Sequence, residues 1–412
     1  MRRLHALTSG NRDLLVATLT LSATTFTVGA MQTVLPLYAA SLGATVQEWG
    51  LVAAMWGVAM AVGEPFWGRF HDRVDRVRPL IFRAVSSTAI FLVLIFVPVA
   101  WPLYLLNLWR GFTDAAPWPA SRSLASRAVS AGRTAWAMAV LWTGARLGSA
   151  LGAFSSGQVA AAFGDRYALL LSAFVSLAAI AFVVPRFGWS QPAGTGQVAA
   201  SGGAVAGSVA QVTAGRGLAL TRYRPLVVLG IITILSSVGW GALTFLPFLV
   251  TESLGGTVAD VGLVFTVSSL ATMALMIPMG SAGDRMGKKR MVVVGLAVYA
   301  LATGGIGFAA SYLQVIALMI LGGAGQAASR PSIEALVSAS SRPEERGSVM
   351  GIYGTCEDVG AIVGPALGSL VWGIGGPSAT YLLFGCLIGA GSIVALFGLH
   401  GRGAAHSTAG IP

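Results

Sequence analysis

The chain carries the same charged turn twice. Gly68-Arg69-Phe70-His71-Asp72-Arg73 closes an apolar stretch in the first half, and Gly280-Ser281-Ala282-Gly283-Asp284-Arg285 closes one in the second. The two aspartates are 212 residues apart (284 − 72), about half of the 412-residue chain. Leu42 and Leu254, Gly43 and Gly255, Gly50 and Gly262, and Gly152 and Gly364 keep the same spacing. A duplication on this scale constrains the fold to two similar halves joined in the middle. Membrane carriers that rock about a central site are built from repeats of this kind.

The halves are apolar. Hydrophobic residues make up 55% of the chain and charged ones only 10%, with a mean hydropathy of +0.76. A soluble protein carries about 25% charged residues. A spanning helix needs roughly 20 apolar residues. Twelve such runs are legible, near 14–39, 48–68, 80–99, 101–121, 135–161, 167–185, 225–250, 258–281, 291–310, 312–330, 347–373 and 379–399. The expected fold is an all-α polytopic membrane protein: twelve transmembrane helices in two pseudo-symmetric six-helix bundles. The bundles are expected at 1–186 and 225–412. Between them, 187–224 is rich in Gly, Ala, Ser and Gln and reads as a cytoplasmic linker. The remaining loops are short and leave no room for a soluble catalytic domain.

A net charge of +11 invites a nucleic-acid reading, which the distribution of the charge rejects. With both termini cytoplasmic, inner segments hold 23 of the 26 basic residues, Arg83 and Arg330 counted among them. Arg166 falls in an outer loop, and Arg110 and Arg146 fall within spans. This is the positive-inside pattern of a multi-pass protein of the cytoplasmic (inner) membrane. The basic loops also suit anionic lipid. The run after Asp13 is too long for a signal peptide and reads as a first span. Cys356 and Cys386 lie inside spans, which implies neither a disulfide framework nor a metal site. Gly144, Gly148 and Gly152 share one helix face, as do Gly360, Gly364 and Gly368. Such faces serve tight static packing or sliding between helices.

On these residues the chain resembles the major facilitator superfamily, and the resemblance covers essentially its whole length. The strongest match is the loop between the second and third helices of each half, roughly G-x-L-a-D-R-x-G-R-K. The second copy keeps Gly280, Asp284, Arg285, Gly287, Lys288 and Lys289. The first keeps Gly68, Asp72, Arg73 and Arg76 but has Asp75 where the family has Gly. The resemblance implies a conformational latch made of Gly68, Asp72, Arg73, Gly280, Asp284 and Arg285. Asp72 is placed to meet the N-terminus of the eleventh helix near Gly347, where an anion gains roughly 0.3–2 kcal/mol. Arg110 matches the arginine of the fourth helix in proton-coupled antiporters, although Thr113-Asp114 replaces the usual Gln-Gly. The antiporter motif of the fifth helix has Ser149 in place of Pro, and the Gly-Pro form occurs instead at Gly364-Pro365.

Ionisable groups inside a bilayer are costly and are candidates for function. Six in these spans stand out: Glu64, Arg110, Asp114, Arg146, Glu357 and Asp358. Arg110 and Asp114 are four apart and share a helix face, as a static bridge or as a proton site. The functional reading makes Asp114 the proton acceptor and Arg110 its tuner. Arg146 and Asp358 are repeat mates (358 − 146 = 212) and should face a common cavity. Glu357 points about 100° away from Asp358, so one of the two acids is expected in the cavity, with Asp358 preferred. Glu64 is expected to belong to the latch, in the cytoplasmic charge network near Arg73. Substrate contacts are expected from Arg146, Gln326, Gln32, Asn107, Trp109, Trp142, Trp240 and Tyr353. Gln326 is the repeat mate of Asp114 (326 − 114 = 212).

The expected function is secondary active transport by alternating access. The substrate would be a small, amphipathic organic solute, exported in exchange for protons. The alternative is carriage of a specific polar metabolite or organic anion gripped by Arg110 and Arg146. An enzyme is not expected, nor is a cofactor. The four histidines, His5, His71, His400 and His406, lie at the termini or the membrane edge, which excludes a His-based intramembrane centre. No G-x-x-x-x-G-K-[ST] loop for ATP occurs. The expected partners are a small-molecule substrate, protons and the lipid bilayer, with the protein as a monomer.

Overall fold

The computed structural model describes residues 2–73, 77–118, 121, 134–187, 224–341 and 346–399. Twelve helical spans run through them. In the first half they are α1 (Arg2–Ser41), α2 (Val46–Arg73), α3 (Val77–Phe96), α4 (Pro102–Asp114), α5 (Thr134–Phe163) and α6 (Asp165–Phe187). In the second they are α7 (Arg224–Ser253), α8 (Val258–Met286), α9 (Lys288–Ile306) and α10 (Tyr312–Ala339). One continuous helical stretch, Arg346–Gly398, supplies the last two. Gly376 breaks it with φ 68° and ψ −164°, giving α11 (346–375) and α12 (377–398). Helices are the expected solution, because lipid offers backbone N–H and C=O groups no partners and each apolar run must satisfy its own.

The repeat is written into the backbone. Gly43 and Gly255 have φ of 87° and 66°, and Gly164 and Gly376 have φ of 101° and 68°. Each pair is 212 residues apart (255 − 43, 376 − 164) and makes the same turn in the two halves. The left-handed conformation there favours glycine. Gly287, at φ 94°, is the mate of Asp75, which lies outside the described residues. The helix starts repeat as well. Thr45 and Glu48 close a reciprocal box at the start of α2, with backbone-to-side-chain bonds of 2.8 and 3.2 Å. Thr257 and Asp260 do the same for α8 at 2.7 and 3.3 Å. Each box satisfies N–H groups that the first helical turn leaves open.

Two spans differ from expectation. α4 ends at Asp114 rather than near 121, with a turn at Ala115–Ala116. Pro117 explains this: its ring opposes the carbonyl four residues back, and it brings no N–H. α7 is not one smooth helix. It breaks between Val238 and Gly241, where Trp240 N–H bonds back to Ser237 O at 3.0 Å, and it ends in a π-helical turn at Leu249–Ser253. A Cβ on Gly241 would sit 2.5 Å from the Gly364 carbonyl carbon, so the break is where α7 and α11 backbones touch.

Within each half the same helices pair. α1 packs on α5 as α7 packs on α11, α2 on α4 as α8 on α10, and α3 on α6 as α9 on α12. The halves meet along two seams, α2 against α11 and α5 against α8. These seams are related by the repeat. Gly50 lies against Ser369 and Pro365, and its mate Gly262 lies against Gly157 and Ala153. Trp49 Nε1–H donates to Thr244 O at 3.1 Å, and Thr266 Oγ1–H donates to Ala150 O at 3.1 Å. All these contacts lie toward the face carrying the Gly43 and Gly255 turns. The face carrying the two Asp-Arg loops is the opposite one. The segment 188–223, expected as the linker, lies outside the described residues.

Candidate functional site

Between the halves lies a cavity of about 290 Å³. Its walls come from both bundles, including Gln32 of α1, Trp56 and Glu64 of α2, Arg146 of α5, Gln326 and Arg330 of α10, and Glu357 and Asp358 of α11. The lining is mostly aromatic and aliphatic, with hydroxyls from Thr25, Ser149, Ser237 and Ser268. Concave apolar surface with a few convergent polar groups is the usual form of a small-molecule site.

The charged wall of the first half centres on Asp114. Arg83 Nη2 donates to Asp114 Oδ1 at 3.1 Å and Arg83 Nε to the same oxygen at 3.3 Å. Arg83 Nη2 also donates to Thr27 Oγ1 at 2.6 Å and to Thr24 O at 3.3 Å, which ties α3 to α1. The other oxygen, Oδ2, accepts from Trp56 Nε1–H at 3.3 Å and lies 3.7 Å from Arg110 Nε. Asp114 is therefore held between two guanidiniums. Arg83 is 2% exposed. Its assignment to an inner segment is corrected: it lies within α3 and faces the bundle. The signal was present, since it falls inside the apolar run 80–99.

The second half has its own network. Arg330 Nη2 donates to Glu357 Oε1 at 2.7 Å, its Nε lies 3.5 Å from Glu334, and its guanidinium sits 5.2 Å from the Trp240 ring centre. Tyr353 O–H donates to the same Glu357 oxygen at 3.2 Å. Arg330 too was expected in an inner segment and lines the cavity instead. A long side chain near the end of an apolar run can point either way, and here Glu357 and Trp240 draw it inward.

Most of the expected site residues meet at this cavity. Gln32, Asp114, Trp142, Arg146, Trp240, Gln326, Glu357 and Asp358 all line it. Trp142 packs against Trp118 in a tilted pair, with ring centres 5.3 Å apart. Both α11 acids reach the cavity, where one was expected: Glu357 is engaged by Arg330 and Tyr353, whereas Asp358 makes no hydrogen bond or ion pair with any described residue. Arg146 likewise has no such partner among the described residues. Glu64 lines the cavity, and the side chain of Arg73, its expected neighbour, lies outside the described residues.

Three expected substrate contacts lie elsewhere. Asn107 is buried behind the cavity, and its Nδ2 donates to Val52 O at 2.7 Å, joining α4 to α2. Trp109 is 47% exposed and packs on Phe82 and Phe112 away from the cavity. Tyr353 is a second-row residue that holds Glu357. Arg110 reaches the cavity only through Asp114. Of the latch, Arg285 is exposed, and the surroundings of Gly68, Asp72, Arg73, Gly280 and Asp284 lie outside the described residues.

Comparison with known proteins agrees with this architecture. The family model described as Major Facilitator Superfamily matches residues 16–249 and 229–410. The multidrug resistance protein MdtG of Proteus mirabilis is 27% identical over 349 residues, covering 82% of this chain and 83% of that protein. MdtG of Escherichia coli is 24% identical over 387 residues, covering 90% of each. A crystal structure of a mutant of the nucleoside transporter NupG superposes with a TM-score of 0.80 at 13% identity, covering 94% of this chain and 100% of that one. The chain belongs to the Major Facilitator Superfamily: it is a multi-pass membrane transporter with a small-molecule substrate.

Proposed function

We propose that this superfamily member is a proton-coupled exporter of small amphipathic organic solutes. It would work by alternating access in the cytoplasmic membrane, with both termini in the cytoplasm. The bundles at 1–186 and 225–412 rock about the cavity while 187–224 tethers them. The observation that carries this reading is the state of the cavity's acids. Asp114 is held by Arg83 and Arg110, and Glu357 by Arg330. Asp358 faces the same space without a cation of its own among the described residues. Of Asp114, Glu357 and Asp358, it is the acid that can take up and release a proton without breaking an ion pair, so we assign the coupling to Asp358 and treat Asp114 as a fixed charge. The likeness to multidrug resistance proteins supports export of varied organic solutes.

The seams closed toward the Gly43 and Gly255 face fit an inward-facing state, given cytoplasmic Asp-Arg loops. In the opposite state, Gly68, Asp72, Arg73, Gly280, Asp284 and Arg285 would latch the cytoplasmic face.

The test is proton movement in proteoliposomes made acidic inside and loaded with a pH dye. Lipophilic cations added outside should exchange for internal protons and raise the internal pH. Asp358→Asn should abolish the rise. An undiminished rise in that variant overturns the assignment, and no rise with any cation overturns proton-coupled export. Arg146, lining the cavity without an anionic partner among the described residues, favours a second reading in which the solute carries a negative group.

A further inference from the structure

We propose that the central cavity selects zwitterionic aromatic solutes, seating their anionic group at Arg146 and their cationic group at Asp358. This rests on the reading of the cavity as the transport site. Six acidic or basic side chains line that cavity: Glu64, Asp114, Arg146, Arg330, Glu357 and Asp358. Asp114 is answered by Arg83 and Arg110, and Arg330 and Glu357 answer each other. Arg146 and Asp358 form no ion pair with each other and no hydrogen bond or ion pair with any other described residue. Two opposite charges thus stand open to one space.

An ionised group in the membrane interior is costly unless paired or wet. A solute carrying only a cation would answer Asp358 and leave Arg146 unpaired and desolvated. A solute carrying only an anion would do the reverse. A zwitterion answers both. The two residues sit on α5 and α11, on opposite halves and at equivalent repeat positions (358 − 146 = 212), so the solute's dipole would lie across the seam between the halves. Trp142 is one helical turn before Arg146 and packs at a tilt on Trp118, ring centres 5.3 Å apart, which puts aromatic surface beside the anion site. Trp56 lines the cavity from α2. A volume of about 290 Å³ suits one small aromatic body. The solute's cationic group and a proton would compete for Asp358, which is the condition for exchange.

The experiment uses three probes that share one indole body and differ in charge: tryptophan, which is zwitterionic, tryptophan methyl ester, which is cationic, and N-acetyltryptophan, which is anionic. Binding of tritiated tryptophan to the purified full-length protein is measured, with the other two as competitors. Tryptophan should bind at least about tenfold more tightly than either, as expected when each end gains a charge-assisted hydrogen bond. In Arg146→Gln its affinity should fall to that of the ester, and in Asp358→Asn to that of the N-acetyl compound. Arg146→Lys, which keeps the charge, should keep the preference and so separates charge from folding. Equal binding of either single-charge probe in the unsubstituted protein overturns the proposal. So does a zwitterion preference that survives both neutral variants, or binding of none of the three. The transport reading is judged separately, by proton movement with lipophilic cations, so the two can fail independently.

Discussion

Arg83 and Asp114 form a two-pronged buried contact: Nε and Nη2 of the arginine both donate to Oδ1 of the aspartate, at 3.3 and 3.1 Å. The contact ties α3 to α4, and through Thr24 and Thr27 it ties both to α1. Removing one partner of a buried pair leaves an uncompensated charge and costs about 3–5 kcal/mol. Arg83→Leu should therefore lower the thermal midpoint of the purified protein sharply. The triple variant Arg83→Leu/Asp114→Leu/Arg110→Leu, which also removes the second guanidinium facing Asp114, should recover much of that loss. A triple variant no more stable than the single one would show that this charge cluster does not hold the bundle.

The same contact separates the roles of two acids. Asp114→Asn should retain a proton response in the liposome assay while losing stability, because its carboxylate serves two fixed guanidiniums. Asp358→Asn should lose the response and keep the stability, because no ion pair with a described residue is broken. The reverse pattern would return the coupling role to Asp114.

Asn107 supplies a control within the first half. Its amide bonds to Val52 O at 2.7 Å, behind the cavity. Asn107→Ala should cost about 1 kcal/mol of stability, the net worth of a typical hydrogen bond, and should leave solute affinity unchanged. A tenfold change in affinity would put Asn107 in the site after all.

What the sequence made legible follows from what its patterns measure. The 212-residue spacing located the Gly43 and Gly255 turns, because a positive φ favours the same residue wherever the turn recurs; Gly164 and Gly376 keep that spacing too but stood out only in the backbone. It also paired Arg146 with Asp358 and Asp114 with Gln326, all of which line the cavity. Hydropathy, however, counts residues without saying which face they occupy. Arg83 and Arg330 sit near the ends of apolar runs, where a long side chain can reach either water or the interior. The choice is made by Asp114 and Glu357 on neighbouring helices, which no local window contains. Trp109 and Asn107 failed as site residues for the same reason: both lie mid-span, but α4 turns one toward its outer surface and the other toward α2. The break at Gly239–Trp240 depends on the close approach of Gly364, a contact spanning more than a hundred residues of sequence.

The glycine seam gives a test of the conformational cycle. Gly262 faces Ala153 O, which an added Cβ would approach to 2.5 Å, and Gly157 lies on the other side of the same crossing. Neither backbone can yield by rotating a side chain, so Gly262→Leu should hold the α5–α8 seam apart. The protein should then favour the state open toward the Gly43 and Gly255 turns. The readout is a cysteine at Gln32, which lines the cavity, placed in a chain whose Cys356 and Cys386 have been replaced by Ala. A membrane-impermeant thiol reagent applied to that face should label it several-fold faster in Gly262→Leu than in the parent, and transport should fall in proportion. The change at Gly50, its repeat mate on the α2–α11 seam, should act the same way, since Gly50 presses on Ser369 and Pro365. Unchanged labelling in both variants would mean that the glycine seams are static packing and that the halves separate elsewhere.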